Sequence, residues 1–183
     1  MVMAMSAIAN NGRLMRPFLV NRLEDREGHV MAQYQPELVR QVVSESTAQQ
    51  MVRALKTVVT KDGTAEKAAL DFYTVAGKTG TAQKTIEGVA GYAAGKYIAS
   101  FIGFFPADKP ELCISIVMDE PKQGYYGGLT AAPVFRDFAT AAANYLNIRP
   151  DRTNAPAVLA SAANAWSGAR SAPSAVVKPL PNP

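Results

Sequence analysis

Lys78-Thr79-Gly80-Thr81, inside the stretch Tyr73-Thr-Val-Ala-Gly-Lys-Thr-Gly-Thr-Ala-Gln-Lys84, places a cation, two hydroxyls and a position without a side chain in succession. On an extended strand this gives one edge a positive charge and small donors, and Gly80 leaves room for a ligand's backbone to lie alongside. Such an edge suits acyl transfer. That chemistry also needs a nucleophilic serine, a base to take its proton and two N–H donors facing the developing oxyanion. Gly77-Lys78-Thr79 matches the end of a nucleotide-binding P-loop as well, but the first glycine of that motif would fall at Phe72. The residues after Thr79 continue a strand, where a P-loop needs a helix N-terminus to cradle phosphate.

Other reactive residues make weaker cases. Cys113 is the only cysteine and lies in the apolar run 112–118, where a small core residue is expected; the sole histidine, His29, falls in a turn-like stretch. A zinc site would need at least two carboxylates beside these two residues, and the sequence clusters none for it. Asp119-Glu120 reads as a solvated turn at a strand end. Neither a metal nor a cofactor is expected.

Lys-Thr-Gly, with Ser-x-x-Lys and Ser-Asp-Asn, forms the established signature set of β-lactamases and penicillin-binding proteins. The segments that follow it here are residues 97–108 (YIASFIGFFPAD), 112–121 (LCISIVMDEP) and 124–135 (GYYGGLTAAPVF). In that order they resemble the class B penicillin-binding proteins, especially the division-type peptidoglycan D,D-transpeptidases. Residues 3–20 (MAMSAIANNGRLMRPFLV) are similar to the helix end and Asn-Gly turn that lie well after the nucleophile in that family, so the resemblance covers roughly residues 1–150.

The resemblance implies roles. Lys78 would polarise the serine network and attract the substrate's C-terminal carboxylate, which the hydroxyls of Thr79 and Thr81 would bind. The Thr81 backbone N–H would be one oxyanion donor, Gly80 would keep the edge clear, and Tyr125 and Tyr126 would form an aromatic wall over bound substrate. The ligands implied are a D-Ala-D-Ala stem peptide and β-lactams, with division-machinery proteins as further partners. One departure stands out: no serine here has lysine three places later, and there is no Ser-x-Asn. Thr81-Ala-Gln-Lys84 imitates the spacing, but on a strand those two side chains point to opposite faces. The expectation is therefore part of a transpeptidase whose serine lies in a missing N-terminal part, inactive alone. The alternative is a non-catalytic truncated piece or interaction module of the same fold. The parent would work on the periplasmic face of the bacterial inner membrane; this chain shows no signal or membrane anchor.

The expected fold is α/β of the α+β type, an antiparallel sheet flanked by helices. Residues 1–10 read as a helix stopped by Asn10-Asn-Gly12, and residues 16–30 as loosely extended. Ser46-Thr-Ala-Gln49 has capping-box spacing, and Met51, Val52, Leu55, Val58 and Val59 repeat at helical period until Asp62-Gly63. Residues 73–84, 97–105 and 112–118 read as three consecutive antiparallel strands, the last two apolar on both faces and hence covered by helices on each side. Residues 88–95 read as a loop, with Tyr97 expected in the core. A closing helix between Thr130 and Pro150 would bury Val134, Phe135, Phe138, Ala142 and Tyr145. From Asp151 onward Ala, Pro and Ser make up more than half the sequence, which predicts a disordered tail in which Trp166 could serve as a short partner-binding site.

With 183 residues, 48% apolar and 19% charged, the chain has the make-up of one soluble domain and a tail. Net charge is +4 and the isoelectric point about 9.2, yet basic and acidic residues are interspersed, so nucleic-acid binding is not indicated. Loss of the nucleophile helix from a shared core would bare apolar sheet face and leave marginal stability.

Overall fold

A computed structural model of the protein describes residues 1–152 apart from 87, 89 and 123. The tail expectation and Trp166 lie outside the described residues, except at the tail's first two positions. Those two are held: the Thr74 N–H and hydroxyl donate to the Asp151 carboxylate, and the Arg152 guanidinium donates to the Leu70 carbonyl at 3.2 Å.

The centre is a three-stranded antiparallel sheet. Its strands are β5 (Ala76–Thr85), β6 (Tyr92–Phe105) and β7 (Leu112–Asp119), with β6 in the middle. Two small ribbons precede it, β1 (Arg13–Met15) with β4 (Leu38–Gln41) and β2 (Arg22–Glu24) with β3 (Val30–Gln33). The stretch expected to be loosely extended, residues 16–30, holds β2 and the first residue of β3, with β1 before it and β4 after it. Helices α1 (Val2–Ala9) and α2 (Glu45–Thr57) lie against one face of the sheet, and α3 (Ala131–Leu146) covers the other. Among the described residues no helix is long and apolar enough to cross a membrane.

Period-two alternation along β6 divides its side chains between two cores. Phe101 and Phe105 face α3, where Phe135 meets their rings edge-on at 4.8 and 6.5 Å, and Phe104 faces the α1–α2 side with Leu55 and Ala76. This is the two-sided burial expected of β6; β7 shows it only in part, with Ile114 buried and Val117 exposed. The strand bounds differ in two places. Tyr73 precedes β5 and packs on Phe105 with its hydroxyl donating to the Ile148 carbonyl, and β6 begins at Tyr92, taking up the end of the expected 88–95 loop.

Two helix expectations need correction. The cap of α2 is Ser44, whose hydroxyl accepts from the Thr47 N–H at 3.1 Å, and not Ser46. Ser44 has Thr47 rather than Glu or Gln three places on, so the helix starts from a plain N-cap two residues before the expected box. On α3 the buried stripe is Ala131, Phe135, Ala139 and Ala143, an unbroken i, i+4 row, while Val134, Phe138 and Tyr145 are exposed. Small alanines let the helix axis approach the sheet closely, so Phe135 alone fills the gap and the larger residues turn outward.

Phe135→Ala should therefore lower stability by about 3–5 kcal/mol, whereas Phe138→Ala should change it by less than about 0.5 kcal/mol. Urea unfolding of the two variants checks this; equal losses would mean that the helix buries the other face.

Candidate active site

Pairing of β5 with β6 fixes where the chemistry-bearing residues point. Lys78 pairs with Ile102, Thr79 with Phe101, Gly80 with Ser100 and Thr81 with Ala99. Directly paired residues share a face, so Thr79 and Thr81 lie on the α3 side, and Lys78 and Gly80 on the α1–α2 side. Among the described residues no strand lies beside the opposite edge of β5.

Lys78 stands at that edge. Its ammonium donates to the Thr79 carbonyl at 2.8 Å and lies 3.5 Å from the Thr79 hydroxyl. Its stem lines a cavity of about 390 Å³, otherwise apolar, between Met5 and Ile8 of α1, Met51 and Leu55 of α2, and Ile102. Among the described residues it has the one charged side chain in that lining. Gly80 makes room in an unexpected direction: a Cβ there would come within 2.5 Å of the Ser100 hydroxyl, so the space it leaves is over the sheet face as well as along the strand.

On the α3 side a glycine loop closes against the strand. The Gly127 N–H donates to the Thr81 hydroxyl at 3.3 Å, and a Cβ on Gly127 would strike the Ser100 and Gly80 carbonyls at 2.2 and 2.6 Å. Only glycine allows this approach. The loop also carries Tyr125 and Tyr126, both exposed, with rings 4.4 Å apart and hydroxyls at 3.3 Å. The hydrogen bond that Tyr125 donates to the Tyr126 hydroxyl holds the Tyr125 phenol above its ordinary value.

Tyr97 was expected in the core. It is instead half-buried and stacks on Tyr125 at 4.4 Å with an 18° interplanar angle, completing a row of three aromatic rings; Gln83 donates to its hydroxyl at 3.3 Å. Its place follows from alternation: Tyr97 stands opposite Gln83, on the face of Thr79 and Thr81. That reading was available in the sequence once β6 was extended past residue 97.

The remaining candidates lie elsewhere. Cys113 sits under α1, where burial pushes its thiol up, which disfavours the thiolate a nucleophile needs. His29 pairs with Asp25 at 3.0 Å in the β2–β3 turn, far from β5 in the chain and exposed. Lys84 binds Asp119 at 2.8 Å and Glu120 at 2.7 Å, and Lys96 approaches Glu120 at 3.6 Å. The adjacent carboxylates thus form a clamp joining the ends of β5, β6 and β7.

The family profile described as the penicillin-binding protein transpeptidase domain matches residues 1–140. The chain is 33% identical over 157 residues to a probable peptidoglycan D,D-transpeptidase, PbpC, of Pseudomonas aeruginosa, a match covering 85% of this chain and 26% of that protein. It is 36% identical over 151 residues to stage V sporulation protein D of Bacillus subtilis, covering 81% of this chain and 23% of that protein. Among solved structures, the apo transpeptidase domain of Burkholderia pseudomallei penicillin-binding protein 3 superposes with a TM-score of 0.68 at 34% identity, covering 82% of this chain and 43% of that one. Penicillin-binding protein 3 of Mycobacterium tuberculosis, complexed with ampicillin, superposes with a TM-score of 0.73 at 31% identity, covering 85% and 36% respectively. In each of these comparisons the chain spans less than half the length of its relative. The mixed helix and antiparallel-sheet architecture is common to them.

The Lys84 clamp sets a pH dependence. Its hydrogen bond to Lys84 holds the Glu120 carboxyl below its ordinary 4.5, so this contribution is present above that value and lost as pH falls through the lowered one. Hydrogen bonds to Asp119 and Glu120 raise Lys84 above 10.5, so its contribution is complete below 10.5 and fades at higher pH. The urea midpoint of Lys84→Met should fall below that of the native chain at about pH 7, and the gap should narrow at about pH 3. A gap of the same size at both pH values would show that the clamp does not carry the effect.

Proposed function

The chain belongs to the penicillin-binding protein transpeptidase-domain family, and from that premise we propose that it supplies the substrate-binding edge of a peptidoglycan D,D-transpeptidase. The observation that carries this reading is the open edge of β5, where the Lys78 ammonium and the Thr79 and Thr81 hydroxyls lie within four residues, flanked by the row of tyrosines. A stem peptide ending in D-Ala-D-Ala lies along that edge. Its terminal carboxylate takes charge-assisted hydrogen bonds from Thr79 and Thr81 beside the Lys78 cation, while Tyr125 and Tyr126 shield its body from water.

A serine attacks the penultimate carbonyl. The ester bond forms as the terminal peptide bond breaks, and D-Ala leaves with the proton taken from the serine. The Thr81 N–H stabilises the oxyanion that develops in between. An amine from a neighbouring stem peptide then attacks the ester, restoring a peptide bond and freeing the serine. A β-lactam enters the same cycle and stops at the ester. Because the 183 residues contain no Ser-x-x-Lys and no Ser-x-Asn, that serine and its base come from outside them, and the cavity beside Lys78 offers the place where a segment carrying them would pack. Residues 1–150 are then the part of the domain held in this chain. The working site is the periplasmic face of the inner membrane, with the division machinery as partner.

Labelling with fluorescent penicillin tests this. The complete protein should be labelled, and Lys78→Ala should slow its labelling by at least about a hundredfold. The 183-residue chain by itself should take up no label. Normal labelling of Lys78→Ala would remove Lys78 from the mechanism, and covalent labelling of the chain alone would overturn the assignment of the serine.

A further inference from the structure

Thr64 belongs to none of the segments that point to transpeptidase chemistry, yet it reaches the centre of the site. It lies in the turn after α2, exposed, with its hydroxyl 3.1 Å from that of Thr79. Thr79 Oγ1 is in turn 3.5 Å from Lys78 Nζ. Three polar groups from two separate segments therefore form a line: ammonium, hydroxyl, hydroxyl.

The turn is held on both sides of this contact. The Ala65 N–H donates to the Val58 carbonyl at 2.8 Å, and the Ala65 side chain is fully buried. On the other side Gly128 presses against the Thr64 backbone so closely that a Cβ there would stand 1.8 Å from the Thr64 carbonyl oxygen. Thr64 thus has a fixed backbone while its hydroxyl stays accessible. An exposed threonine that served only to close a turn would need neither the interlocked glycine loop nor a partner on β5.

A hydroxyl oxygen accepts two hydrogen bonds and donates one. If Lys78 and Thr64 both donate to Thr79 Oγ1, its lone pairs are filled and its single proton is left for an acceptor at the open edge. We infer that Thr64 is a positioning residue for the carboxylate site, fixing the Thr79 hydroxyl as a donor toward an anionic substrate terminus. Donation from Thr64 polarises the Thr79 O–H and strengthens its bond to a carboxylate more than to a neutral carbonyl. This inference rests on the proposed transpeptidase reading, because it assumes a carboxylate bound at Thr79 and Thr81.

The test measures acylation of the complete protein by ampicillin and by ampicillin methyl ester, which lacks the anion. Thr64→Val should slow acylation by ampicillin about tenfold and by the ester less than about twofold, and Thr64→Ser should restore the native rate. On a Thr79→Val background Thr64→Val should add nothing further, since the hydroxyl it orients is gone. Native rates for Thr64→Val, or equal losses with ampicillin and ester, overturn the inference while leaving the function intact. Should Thr64→Val unfold, Thr64→Ala is read by the same ratio of ampicillin to ester. Failure of the native complete protein to react with either compound refutes the transpeptidase reading itself and this inference with it.

Discussion

The register between β5 and β6 is the constraint on which the rest depends. Pairing Thr79 with Phe101 sends both threonine hydroxyls toward α3 and Lys78 toward α1 and α2. A slip of one residue would reverse every one of these directions. Lys78 would then point at the fully buried contact between Phe101 and Phe135, where an unpaired ammonium is strongly disfavoured. The phenylalanine core therefore determines the orientation of the polar site, although none of its rings has been given a part in the chemistry.

Close backbone contacts convert that register into a definite shape. The Phe101 ring lies across positions 77 and 103, where added Cβ atoms would come within 2.4 and 2.9 Å of it, so glycine at both places lets the ring settle on the strands. Gly127 and Gly128 do the same for the tyrosine loop, one against β5 and β6 and the other against Thr64. Four glycines thus bring a ring, a loop and a turn into contact with the same short length of β5. Groups held from several sides lose little freedom when a ligand arrives, which is where positioning gains its effect.

Much of this was legible in the sequence because strands and faces follow simple periods. The three strands, their antiparallel order and the burial of β6 on both faces came from runs of β-branched and aromatic residues, and the position of Lys78-Thr79-Gly80-Thr81 on β5 came with them. The α3 stripe was misread because hydrophobicity favours Val134, Phe138 and Tyr145, whereas close packing against a sheet favours alanine. Tyr97 was misplaced because strand β6 runs further back than its apolar core suggests. The approach of Thr64 to Thr79 had no signal at all: fifteen residues separate them, and only the folded path of the turn brings them together.

An open edge on a strand of ten residues invites pairing with any other chain, and the proposed function needs such an edge. Lys78 reconciles the two requirements. By donating to the Thr79 carbonyl it occupies a backbone acceptor of β5. A neutral strand offers Lys78 only another carbonyl in exchange, with no gain for the ammonium. A carboxylate offers an ionised acceptor, whose bond to the ammonium is about twice as strong as a neutral one. Under the proposed function the same residue favours a ligand that ends in an anion. Under the proposed function, selectivity for a chain terminus over the middle of a chain would follow from where this one amine rests on β5.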